Sequence, residues 1–115
     1  MLERKHFDLL IGKTLEALTF APYCIHFRFE GDLLLTLESE FSFFYEQSHR
    51  EDIKLPVRHS HLMRILQSSV TSAELDLNGD LQIRFANGDY VAFEKPIGYE
   101  GYRMRIGSGE FFGGA

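Results

Sequence analysis

Four arginines stand at spacings that could grip an anion. Arg28 lies in "IHFRFEGD" (Ile25 to Asp32) and Arg84 in "LQIRFANGD" (Leu81 to Asp89), stretches in which Phe27/Ile83, Arg28/Arg84, Phe29/Phe85, Gly31/Gly88 and Asp32/Asp89 correspond, with one extra residue in the second turn. Arg103 and Arg105 alternate with apolar residues in "YRMRIG" (Tyr102 to Gly107). A guanidinium fork holds a carboxylate or phosphate through two parallel hydrogen bonds, and Tyr99 and Tyr102 could stack on a planar ligand. Arg28, Arg84, Arg103, Arg105, Tyr99 and Tyr102 are therefore the candidate ligand-binding residues, expected around a pocket between two matching halves. The plainer account is that the polar faces of antiparallel strands carry arginine because they meet water. Glu30, Glu38 and Asp76 could then neutralise them.

Other chemistry is thinner. Cys24 and His26 share a face of an expected strand, where residues two apart sit roughly 7 Å from each other. That is too far for the direct hydrogen bond of an activated thiol, so Cys24 reads as a half-buried free cysteine. His59 and His61 in "RHSHLMR", with His49 nearby, invite a metal. Metal-binding helices prefer histidines four apart, however, and an HxH pair at a helix start diverges by about 200°. No metal or cofactor is expected. A cationic helix start opposes the helix dipole and is a weak pointer to an anion or an acidic partner. Phosphate-loop, dinucleotide, nucleophile-elbow, zinc-protease and paired-carboxylate motifs are all missing. With no catalytic residue to name, the chain reads as a binding protein and not as an enzyme.

The elements that must position these residues belong to a chain of 115 residues, enough for one domain with its own core. Eleven Phe, no Trp and a net charge of −5 describe a globular, acidic protein. That charge argues against binding to a nucleic acid polymer or an anionic membrane. A single cysteine excludes an internal disulfide and a CxxC zinc site. The start, "MLERKHFDLLIGK", is too charged for a signal peptide or membrane anchor, so a cytoplasmic location is expected. Nothing fixes the oligomeric state, and a homo-oligomer is compatible with the composition.

Two halves recur at an offset of 55, with Leu10/Ile65, Ile11/Leu66, Leu15/Val70 and Phe20/Leu75 in step. Repeat one covers about 6–46, a polar linker about 47–58, and repeat two about 59–115 of a single domain spanning 1–115. "HFDLLIG" predicts a short helix stopped by Gly12, and "HLMRILQ" another with Ser60 as its N-cap. Alternating runs predict strands at 14–20, in "YCIHFRFE", "LLLTLE", "FSFFY", "VTSAELDL", "LQIRF" and "YVAFE". Asn78-Gly79 and Asn87-Gly88 predict type I′ hairpin turns. "YRMRIG" and "EFF" complete the chain as a final hairpin turned at Ser108-Gly109. The expected fold is α+β, with two αβββ-type repeats forming one curved, mostly antiparallel sheet or a partly closed barrel under two short helices.

The last third, "GDLQIRFANGDYVAFEKPIGYEGYRMRIGSGEFFGGA", resembles the end of a family of small uncharacterised bacterial domains. Their marks are an L-x-I-x-F-x-N-G hairpin, a Tyr-Glu pair and a closing strand that runs into a glycine pair. "LLIGKTLEALTF" resembles their opening, so the likeness loosely spans the chain. It departs where the family keeps a Trp after Tyr-Glu, here Gly101-Tyr102, and a proline before the glycines, here Phe112. Such domains occur among immunity-type proteins that neutralise toxins. The resemblance implies a protein inhibitor of a protein target, and it supplies no catalytic residues. The arginines support a second expectation, a sponge that sequesters a small anionic, nucleotide-like signalling molecule.

Overall fold

The strands form where apolar residues fall on every second position. In β2 (Ile25–Phe29) the residues Ile25, Phe27 and Phe29 are buried, and Arg28 is exposed. The same alternation places Leu81, Ile83 and Phe85 inward in β7 (Leu81–Phe85), and Tyr102 and Met104 inward in β9 (Tyr102–Ile106). The remaining strands are β1 (Leu15–Phe20), β3 (Leu33–Leu37), β4 (Phe41–Tyr45), β5 (His49–Ile53), β6 (Val70–Leu75), β8 (Tyr90–Phe93) and β10 (Gly109–Gly113). One helix, α1 (Arg4–Asp8), opens the chain, and a 3₁₀ turn (Leu62–Ile65) precedes β6. The structure, a computed structural model, describes residues 4–94 and 101–113. Among those residues no helix is long and apolar enough to cross a membrane.

The strands make two antiparallel sheets, in the orders β1-β2-β3-β9-β10 and β5-β4-β8-β7-β6. Their apolar faces join in one core, where Phe27 meets Phe41 and Tyr102 meets Phe93 edge-on across the interface. This corrects the α+β expectation of one curved sheet or partly closed barrel. Among the described residues the fold is nearly all-β, with two sheets, one short α-helix and no closed barrel. Alternation specifies which side chains go inward but not what covers them. A single sheet of this length would leave its apolar face to water, whereas two sheets cover each other. The second expected helix shrinks to the 3₁₀ turn because its two buried residues, Leu62 and Ile65, are three apart, which is the 3₁₀ period. Met63 is exposed, and Gln67 at φ 65 ends the turn.

The stretch read as a polar linker contains β5, whose inward Ile53 faces Phe41 in register. The Asn-Gly turns also differ from expectation. Only Gly79 and Gly88 have positive φ, at 86° and 91°. Each turn closes with a glycine N–H donating three residues back, to Asp76 or Phe85, so both are type I turns followed by a left-handed glycine.

One hydrogen-bond scheme recurs along the chain. Leu15 N donates to Ser68 O at 3.0 Å, and, 55 positions on, Val70 N donates to Lys13 O at 2.9 Å. Gln67 N to Leu15 O and Gly12 N to Val70 O, both 2.8 Å, form a second such pair. β1 and β6 carry the same register shift against their hairpin partners, at Leu15/Ala17 and Val70/Ser72. The sheets exchange their outer hairpins, for β4-β5 completes the sheet of β6-β7-β8 and β9-β10 that of β1-β2-β3.

Candidate functional site

The two sheets present their arginines on opposite outer surfaces. Arg28 and Arg105 flank Leu34 in one cross-strand row of the first sheet, and all three line a shallow depression with Glu16 and Asp32. Among the described residues neither guanidinium has a carboxylate within ion-pair distance. Arg103 lies two residues along β9, with Nε 3.2 Å from Glu38 Oε1. Arg84 belongs to the second sheet and cannot join them. The space between the halves, where the pocket was expected, is filled by core side chains. Tyr102 is part of that core. Its hydroxyl donates to Gly79 O at 2.8 Å, and Phe7 and Phe93 pack edge-on against its ring. Burial, then Asp76 and Asp80, push its pKa up to about 12. Tyr99, and the Tyr99-Glu100 corner with it, lies outside the described residues.

The outer surface of the second sheet holds a feature that the arginine motifs do not reveal. Ser72, Arg84, Tyr90, Phe44 and Arg50 stand side by side in register across its five strands. Tyr90 and Phe44 stack with centroids 4.5 Å apart and planes at 11°. Arg84 Cζ sits 4.3 Å from the Tyr90 centroid, and Arg50 Cζ 5.5 Å from that of Phe44. The result is a ladder of cation, ring, ring and cation on the water side of a sheet. Asp52 and Ser42 steady Arg50, through Nε at 3.1 Å and Nη2 at 3.2 Å. Carboxylates rim the ladder, with Glu40, Asp52 and Glu94 beside Phe44, and Glu74, Asp76 and Asp80 beside Tyr90. The signal was present in the sequence. Phe44 and Tyr90 occupy the outward phase of their strands, where aromatic residues gain nothing from the core.

At the matching row of the first sheet, Leu34 and Arg105 stand where Tyr90 and Phe44 stand in the second. The backbone scheme is shared, and the two exposed faces have different chemistry.

Cys24 and His26 are closer than strand spacing allows. Cys24 lies in the turn before β2, and its Sγ reaches to 3.4 Å from His26 Nε2. His26 Nδ1 is 2.8 Å from the hydroxyl of buried Thr36. Burial, then Arg103, push the His26 pKa below its ordinary value, with Arg105 adding to this and Glu38 opposing it.

Two of the histidines near the 3₁₀ turn, His49 and His61, have other partners. Glu51 Oε2 lies 2.8 Å from His61 Nδ1, and Glu51 Oε1 accepts from Ser60 Oγ and His61 N. His49 and His61 stack on Tyr45. Among the described residues no three His, Cys, Asp or Glu side chains are placed to hold a metal ion. The depression beside Arg64 is neutralised from within, because Asp89 and Glu46 already pair with that guanidinium.

No family model, curated protein or solved structure matches this chain.

Proposed function

We propose that this chain is a non-enzymatic cytoplasmic inhibitor of immunity type, which neutralises a basic protein partner by covering it with the outer face of the second sheet. The observation that carries this reading is the Arg84–Tyr90–Phe44–Arg50 ladder inside its acidic rim. Interface hot spots are rich in tyrosine and arginine, which combine large contact area with polar tips. Rigid sheet backbone holds these four side chains, so little freedom is lost on docking. The carboxylates around them, with the net charge of −5, favour rapid encounter with a basic surface. The family resemblance in the last third of the chain points the same way.

The test is a comparison of three proteins as baits in lysate from the native setting: wild type, Phe44→Ala/Tyr90→Ala and Arg28→Ala/Arg105→Ala. The inhibitor reading expects a basic partner captured by wild type and by the arginine variant, and lost with the ring variant. Capture that survives loss of both rings rules it out.

A second reading rests on Arg28 and Arg105, which flank Leu34 with no carboxylate partner among the described residues. It makes the chain a sponge for a small anionic, nucleotide-like molecule, held on the first sheet's face. Native mass spectrometry would then find a small adduct on wild type that is absent from Arg28→Ala/Arg105→Ala.

A further inference from the structure

The first sheet's outer face carries a nucleophile, a base and a group that orients the base, and neither reading above uses them. The Cys24 thiol, free and half-buried, lies 3.4 Å from His26 Nε2. His26 Nδ1 lies 2.8 Å from Thr36 Oγ1, and Thr36 is only 2% exposed, so the oxygen that holds the ring is itself fixed. His26 and Thr36 are direct cross-strand partners, and Arg103 stands on the far side of Thr36 in the same row. Burial and the neighbouring Arg103 disfavour protonated His26. The ring is neutral at neutral pH, with one protonated nitrogen and one lone pair. With the proton on Nδ1 donated to Thr36, the lone pair on Nε2 faces the thiol. A nucleophile within reach of a base, and a base oriented by a third group, is the arrangement that activates cysteine.

We propose that Cys24 is a site of thiol–disulfide exchange, taking a small disulfide that bears carboxylates and forming a mixed disulfide on the protein. His26 Nε2 takes the Cys24 proton, and the thiolate attacks one sulfur of the disulfide. A new S–S bond forms to Cys24 as the old one breaks. The departing thiolate takes the proton from His26, so one thiol leaves and His26 returns neutral. The small disulfide is the oxidant, since one of its sulfurs departs reduced while Cys24 becomes disulfide-bonded. Arg105, two residues along β9 from Arg103 and so on the same face, supplies a guanidinium for the carboxylates. Exchange needs only a thiolate and an approach along the S–S axis, and Cys24 is partly exposed in the turn before β2. Acyl transfer would also require donors for an oxyanion. This inference is independent of what the second sheet binds.

The experiment follows mixed-disulfide formation on the full chain by intact mass, with glutathione disulfide as the anionic probe and cystamine as its cationic counterpart. Wild type should react with glutathione disulfide at least about tenfold faster than His26→Gln. Arg105→Ala should lose the preference for glutathione disulfide over cystamine. Thr36 is a positioning residue, so Thr36→Val should slow the reaction and Thr36→Ser should restore it. That last comparison decides alone if circular dichroism shows His26→Gln unfolded. Equal rates for wild type and His26→Gln, equal rates for Thr36→Val and Thr36→Ser, or no preference between the two probes would overturn the proposal.

Discussion

Arg64 Nε donates to Asp89 Oδ2 at 2.9 Å, and joins a 36% exposed side chain of the 3₁₀ turn to a 2% exposed carboxylate beside β8. Asp89 also accepts from Asn87 Nδ2 at 3.0 Å and from Glu46 N at 3.3 Å, so one buried carboxylate ties together three segments. Asp89→Ala removes all of these acceptors at once. The donors belong to exposed residues that water can reach, so the expected loss is the net worth of hydrogen bonds to a charged group, about 2 kcal/mol. Urea unfolding should show a lower midpoint at an unchanged slope. A midpoint within error of wild type would show that the network contributes nothing net.

The aromatic ladder predicts a separation of binding from stability. Phe44→Ala/Tyr90→Ala removes one cross-strand ring pair from the solvent side and should cost about 1 kcal/mol of folding stability. Under the inhibitor reading it should weaken partner binding at least about a hundredfold. Titration calorimetry against the captured partner measures the second effect. A loss of binding no greater than that of Arg28→Ala/Arg105→Ala would mean that the ladder is not the contact.

Acid should destabilise the protein in two windows. The His26 pKa is depressed in the folded state, so the unfolded chain binds the proton more readily. Its contribution is complete above its ordinary value of 6.5 and is lost as pH falls below it. Burial of Glu51 raises its pKa, but hydrogen bonds from the His61 side chain and backbone and from Ser60 outweigh this and leave it lowered. That contribution is present above 4.5 and fades as pH drops further. Thermal melts between neutral pH and pH about 4 should therefore decline. His26→Gln should flatten the upper part of the decline, and Glu51→Gln the lower part.

At the alkaline end the sign is opposite. Tyr102 holds its proton to about 12 when folded, against an ordinary 10. Stability from this group is complete below 10 and is lost as pH rises through the folded value. Tyr102→Phe should show a flatter alkaline stability profile, and should cost about 1 kcal/mol at neutral pH through its lost bond to Gly79. Melts of both proteins at neutral and alkaline pH compare the two slopes.

The sequence conveyed local geometry well and long-range partnership poorly. "IHFRF" and "YRMRI" state their buried faces through alternation; Leu15/Val70 could be matched by the offset of 55, and Phe29/Phe85 by the Arg-Phe that both stretches share. The course of β4 was hidden, because a strand pattern says nothing about which edge it will join. β5 was missed since "HREDI" has one buried apolar residue and depends on pairing with Phe41–Tyr45 for its shape. The ladder draws residues from four strands, Phe44 and Tyr90 lying far apart along the chain, so only their outward phase hinted at it. The Cys24–His26 contact was excluded by applying strand geometry to a residue that sits in a turn. Arg28 and Arg84 were equated by their matched positions, which in two facing sheets means opposite sides of the molecule.

The exchange of outer hairpins bears on how the molecule is made. During synthesis the first three strands emerge early, but the neighbour of β3 in their sheet is β9, which spans 102–106. Until those residues leave the ribosome, β3 exposes an unpaired edge of "LLLTL", a template for strand addition by other nascent chains. β4 and β5 likewise wait for β8 at 90–93. Neither sheet can be finished before most of the chain is available, so this protein should depend on nascent-chain protection more than a domain built from consecutive hairpins.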